Sequence, residues 1–146
     1  MNLLFLCTGN SCRSQMAEGW ARALAPELAP GLDLSVQSAG LEAHGLNPSA
    51  VAAMARHGVD ISAHSSDILN DQQMEAADII VTVCSHADAH CPMTPPGIEK
   101  VHLPFFDPAS ATGSDSEIQA CFDKVCMEIK QAVEKLLIEL AGRQGG

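Results

Sequence analysis

Positive charge is scarce in this chain: eight Lys and Arg stand against eighteen Asp and Glu, a net charge of −10. So acidic a surface repels polyanions, which argues against nucleic acid and anionic membrane as partners. Long hydrophobic runs are missing too. No stretch approaches the length of a membrane-crossing helix and the chain opens on an apolar strand rather than a basic leader, so the cytoplasm is the expected compartment. None of the six cysteines forms a Cys-x-x-Cys pair, and no His stands at ligand spacing from a Cys pair, which sets zinc ribbons aside. Redox or catalytic thiols fit better than a disulfide framework. Repeats, low-complexity segments and linkers are absent as well, and 146 residues suit one domain, expected over residues 1–141 with 142–146 as a frayed tail.

What is present is concentrated near the start. The apolar run Leu3-Leu4-Phe5-Leu6 leads into Cys7, and Thr8-Gly9-Asn10-Ser11-Cys12 separates that cysteine from Arg13. A buried strand feeding a small-residue loop that opens a helix can turn its backbone N–H groups toward a tetrahedral oxyanion. Gly9 and Asn10 tolerate the left-handed backbone such a nest requires. Arg13 adds a planar, permanently charged fork, and the positive surroundings are expected to depress the Cys7 pKa and aim a thiolate at the bound anion. Ser14 follows, where its hydroxyl can cap the helix or hydrogen-bond the thiolate.

Strand and helix patterns alternate along the rest. Strands are expected at Asn2–Leu6, Leu32–Ser38, Asp78–Cys84 and Val101–Phe105, and helices at Arg13–Leu24, Ser49–His57 and about Asp115 to Leu140. Pro48 suits a helix first turn and Gly58 a helix end. This alternation predicts an α/β three-layer sandwich, a four-stranded parallel sheet with helices on both faces. Ligands bind beyond the carboxyl ends of such strands, where both Cys7 and Cys84 fall.

Cys91 follows Cys84 across a short loop. The two read either as a core thiol and a surface accident, or as a redox couple that displaces an adduct from Cys7 and passes the disulfide outward; the second reading is favoured. Asp107-Pro108 also lies at the ligand edge. The dipeptide alone reads as a turn, although a carboxyl there can protonate a departing oxygen.

The run Cys7 to Trp20 closely resembles the signature of the low-molecular-weight tyrosine-phosphatase superfamily, and specifically its arsenate reductase branch. The likeness extends in order through Ser38-Ala39-Gly40, His44 to Pro48, Val81 to Cys84, Cys91-Pro92, Pro95-Pro96 and Phe106 to Ala109. The resemblance implies an anion loop at Cys7–Arg13, with Thr8, Gly9, Asn10, Ser11, Cys12 and Ser14 contributing, and Asp107 as general acid. It implies turnover through Cys7, Cys84 and Cys91, no tightly bound cofactor, arsenate as substrate with phosphate and sulfate as competitors, and re-reduction by thioredoxin or a similar thiol partner. It also aligns Asn10, Glu18, Ser38 and Asp67 with positions where some relatives hold a potassium-like cation.

Phosphatases of the family grip a phosphotyrosine ring with aromatic residues at the pocket mouth and lack a Cys84/Cys91-like pair. This chain has Ala109 at that mouth and no tyrosine at all, so a small inorganic oxyanion is expected. The alternatives are a phosphatase working through a Cys7 phosphoenzyme and a non-enzymatic oxyanion or redox module. Cys12 suits packing or redox chemistry equally, Cys121 and Cys126 read as core-edge thiols, and the six His residues carry no assignable chemistry.

Overall fold

The computed structural model describes residues 1–90 and 96–145. Cys91 therefore lies outside the described residues. Four strands, β1 (Asn2–Cys7), β2 (Ser35–Gly40), β3 (Ile79–Thr82) and β4 (Glu99–His102), form one parallel sheet in the order β2-β1-β3-β4. Leu3 to Cys7 and Ile79 to Thr82 are buried throughout, though alternate residues point to opposite faces. Both faces of the central strands are thus covered, which is why these runs are continuously apolar rather than alternating.

The helices are α1 (Arg13–Leu28), α2 (Pro48–Arg56), α3 (Asp71–Ala76), α4 (Ser85–His90) and α5 (Asp115–Gly145), with a 3-10 turn at Pro108–Ser110. Helices α1 and α5 pack against each other and α2 against both, while α4 lies on β1 and β3. Met16, Ala17, Trp20 and Ala21 turn one face of α1 inward, and Phe122, Val125, Ile129, Val133 and Leu137 do the same on α5. None of the helices described is long and apolar enough to cross a membrane.

Several boundaries differ from the sequence reading. Helix α1 passes through Pro26 to Leu28, and the Ala29 N–H still closes on the Ala25 carbonyl at 2.8 Å, so the proline weakens the final turn without ending it. Strand β2 starts at Ser35 rather than Leu32, and β4 starts at Glu99 rather than Val101 because it pairs Ile79 with Glu99. Past β4 the chain keeps bonding to the sheet, Leu103 N–H to the Thr82 carbonyl and Phe105 N–H to that of Val83. Helix α5 continues beyond Leu140 into the segment expected to fray, and Arg143 ties that end to Glu139 and Glu99.

Chain order reverses direction between β1 and β3: β2 lies on one side of β1, while β3 and β4 lie on the other. That switch point opens a crevice at the carboxyl ends of β1 and β3. Cys7 ends β1, and Cys84 stands two residues beyond β3.

Candidate active site

The loop after β1 is shaped by where its carbonyls go. The segment following β2 runs alongside it: the N–H groups of Leu41, Glu42, His44 and Asn47 donate to the carbonyls of Cys7, Thr8, Gly9 and Ser11 at 2.8–3.2 Å. The Asn10 carbonyl accepts from Gln15 Nε2 at 3.1 Å. With every carbonyl turned outward, the N–H groups of Asn10, Ser11 and Cys12 donate to no protein acceptor among the described residues and are left for a ligand. Asn10 holds the left-handed turn, φ +48°, and is fully buried. Its side chain donates to Ser14 Oγ at 2.9 Å and Ser38 Oγ at 3.0 Å, and accepts from the Asp67 N–H at 2.8 Å. Ser14 therefore neither caps α1 nor meets the thiolate; it anchors the loop. Cys12 stands at the α1 N-cap, makes no side-chain cap, and burial pushes its thiol up to about 11.

Arg13 opens α1 and reaches across the crevice. One guanidinium nitrogen donates to the Phe105 carbonyl at 3.2 Å, another lies 3.8 Å from Asp107 Oδ2, and the buried Nε has no partner among the described residues. Asp107 serves both of its readings: Oδ1 accepts from the Ala109 N–H at 3.0 Å, capping the 3-10 turn, while Oδ2 faces Arg13. Cys7, Thr8, Gly9, Ser11, Cys12, Arg13, His44, Asp107 and Ala109 line one cleft of about 260 Å³.

Cys84 sits behind that cleft. Its Sγ lies 3.3 Å from Thr8 Oγ1 and accepts the Ala87 N–H at 3.3 Å across the first turn of α4. The Cys7 thiol is its electrostatic neighbour, and the two ionisations are linked. Cys84 first, then burial, pushes the Cys7 thiol up, while Arg13 and the Gly9 N–H pull it down. Cys84 moves down in step, through Cys7 first and then through its contacts with Thr8 and Ala87. This runs against the expectation of a simply depressed Cys7: Arg13 lowers the thiol as expected, but the neighbouring thiol and burial outweigh it.

The four residues aligned with a cation position do come together. Ser38 Oγ donates to Glu18 Oε1 at 2.6 Å and accepts from Asn10, which accepts from the Asp67 N–H. Arg22 Nε lies 2.9 Å from Glu18 Oε2, and Ser65 Oγ donates to Asp67 Oδ2 at 2.8 Å. The Asn10, Ser38 and Glu18 oxygens are thus already engaged by internal donors, with Arg22 supplying the positive charge. Among the described residues no three His, Cys, Asp or Glu converge as metal ligands.

Residues that sequence reasoning missed enter from outside the loop. Glu42 and His44 arrive with the segment after β2, and His64 Nδ1 meets Gln15 Oε1 at 3.1 Å beneath the loop. No spacing in the chain signals that the histidine of the His44-to-Pro48 motif reaches the cleft.

The fold is a 2-1-3-4 parallel sheet with a Cys-to-Arg loop at its switch point. The chain belongs to the low molecular weight phosphotyrosine protein phosphatase family, whose model matches residues 2–144. Within reach of it is the arsenate reductase of Bacillus subtilis (strain 168), 51% identical over 127 residues, 87% of this chain and 88% of that protein. A solved arsenate reductase in its phosphate-binding state superposes with a TM-score of 0.71 at 30% identity, covering 94% and 97% of the two chains. The low molecular weight protein tyrosine phosphatase of T. tengcongensis superposes with 0.78 at 26%, covering 95% and 99%.

Proposed function

We propose that the protein reduces arsenate to arsenite through Cys7, Cys84 and Cys91. The observation that carries this reading is the second thiol: Cys84 Sγ lies 3.3 Å from Thr8 Oγ1 of the oxyanion loop and is electrostatically linked to Cys7. Hydrolysis of an ester needs no such neighbour. The relatives named arsenate reductase, matching most of the chain, support the same reading.

Arsenate enters the cleft, and Arg13 with the N–H groups of Asn10, Ser11 and Cys12 holds its oxygens. The Cys7 proton passes to Cys84, leaving the thiolate facing arsenic. Cys7 Sγ attacks, Asp107 protonates the departing oxygen, and water leaves from a Cys7–arsenate thioester. Cys84, deprotonated again and held by Thr8 and the Ala87 N–H, attacks Cys7 Sγ. The S–S bond forms as the S–As bond breaks, the electron pair goes to arsenic, and arsenic(V) departs as arsenic(III). Cys91 then attacks Cys84, releasing Cys7 as thiolate and forming a Cys84–Cys91 disulfide that an external dithiol of thioredoxin type reduces. Such a cycle suits the reducing cytoplasm. Phosphate and sulfate compete for the loop without being reduced.

Arsenate-dependent NADPH oxidation with thioredoxin and thioredoxin reductase tests this directly. Turnover is expected, lost in Cys7→Ser, Cys84→Ser and Cys91→Ser alike. The phosphatase reading, favoured by the family's own loop chemistry, wins if para-nitrophenyl phosphate is hydrolysed briskly and Cys84→Ser and Cys91→Ser change nothing.

A further inference from the structure

Charge in the cleft does not balance for a dianion. Arg13 is the fixed cation on its wall, and the Asp107 carboxyl 3.8 Å away offsets it. The remaining basic side chain among the described residues that line the cleft is His44. Its backbone N–H donates to the Gly9 carbonyl at 2.9 Å, and its ring lies against Gly9 so closely that a Cβ there would stand 2.3 Å from Nδ1. The other ring nitrogen, Nε2, contacts Glu42 Oε2 at 2.5 Å. An ionised carboxylate only accepts, so that contact places a proton on Nε2. Nδ1 then carries a proton only when the ring is imidazolium. In the neutral ring it presents a lone pair, which repels an oxyanion.

We propose that His44, oriented by Glu42, is a proton-gated ligand for the oxyanion bound in the Cys7–Arg13 loop. As imidazolium it donates Nδ1–H to an outer oxygen and supplies the second positive charge; as neutral imidazole it withdraws both. The groups facing the ring are Glu42 at Nε2, the Gly9 backbone beneath it, and Arg13, Asp107, Cys7 and Cys12 across the cleft. Imidazole is the side chain whose ordinary titration falls between about pH 5 and 8. The inference rests on the oxyanion reading of the cleft, not on reduction itself.

Sulfate is the probe, because it stays a dianion throughout the range and any pH dependence belongs to the protein. Calorimetry in a Cys7→Ser background removes the nucleophilic thiol. Affinity is expected to fall roughly tenfold between pH 5.5 and 8.5, with proton uptake on binding seen across buffers of different ionisation enthalpy. Adding His44→Gln, which keeps a donor for Glu42, should leave the weak affinity at both pH values. A wild-type-like slope in His44→Gln with melting unchanged overturns the inference alone. Absence of sulfate binding at either pH overturns it together with the oxyanion reading. Arsenate turnover is assayed separately, so its failure removes the reductase reading and leaves the gate standing.

Discussion

Gly40 shows how closely the site is built. A Cβ there would stand 2.4 Å from the Glu42 carbonyl oxygen, 2.7 Å from the Asn10 nitrogen and 2.9 Å from the Thr8 carbonyl oxygen, all main-chain atoms. None of these can swing aside as a side chain can. The Gly40 N–H and carbonyl are also tied to Asp67 and Leu69 at 2.8 Å, which stops β2 from backing away. Gly40→Ala is therefore expected to cost more than about 2 kcal/mol, as other overpacking substitutions do, and to abolish sulfate binding by distorting the loop. Urea denaturation and calorimetry measure the two effects. A variant that unfolds with the wild type and still binds would mean that β2 and the loop are not in this contact. Gly9→Ala is the contrasting case: the neighbour there is the half-exposed His44 ring, so the fold should tolerate it within about 1 kcal/mol.

Elements enter the chemistry through their ends. Helix α4 is only six residues long, yet its start delivers the Ala87 N–H to Cys84 Sγ, and β1 delivers Thr8 Oγ1 to the same sulfur. Both contacts favour the thiolate, so removing one raises the Cys84 pKa. Thr8→Val should shift the acid limb of single-turnover disulfide formation to higher pH and slow the step roughly fivefold at pH 6, one hydrogen bond's worth. Quench-flow with thiol mapping reads this out, and an unmoved limb would show that Thr8 does not hold the attacking sulfur. The Cys7–Arg13 loop was legible in the chain because its parts are contiguous and its glycine, asparagine and arginine have few other uses together. Strand β1, the α2 start at Asn47-Pro48 and the apolar stripe of α5 were legible for similar reasons. Helices α3 and α4 were not: six residues span less than two turns, too short for a 3.6-residue period to emerge. Strand β4 was misplaced by two residues because Glu99 and Lys100 are exposed on a sheet edge and carry no hydrophobic signal. Glu42, His44 and the Phe105 carbonyl reach the cleft by tertiary packing, which no local pattern encodes. The electrostatic link between Cys7 and Cys84 likewise depends on strand register rather than spacing.

At the scale of the whole molecule, thiols are packed where charge is costly. Cys126 is fully buried in the α1–α2–α5 layer, with its thiol donating to Met54 Sδ at 3.4 Å, which corrects its expected place at the core edge. Burial raises its pKa, and burial holds Cys12 up at about 11 against an ordinary value of 9.0. A raised thiol pKa means that the folded chain keeps a proton the unfolded chain gives up. The contribution is therefore fully present below pH 9 and is lost as pH climbs from 9 toward 11. For Cys12 the difference corresponds to about 3 kcal/mol, and Cys126 adds in the same direction. The acidic residues are fully ionised at neutral pH and do not titrate over this window. The four lysines lose charge near their ordinary pKa of about 10.4 in the wild type and in a thiol variant alike, so that change cancels in a comparison of the two. Urea midpoints should thus stay level from pH 7 to 9 and then fall steeply. A Cys12→Ala/Cys126→Ala double variant starts lower, having lost packed sulfur, but its midpoint should decline by several kcal/mol less over the alkaline window. If the two curves run parallel above pH 9, the buried thiols are not what limits the fold at high pH.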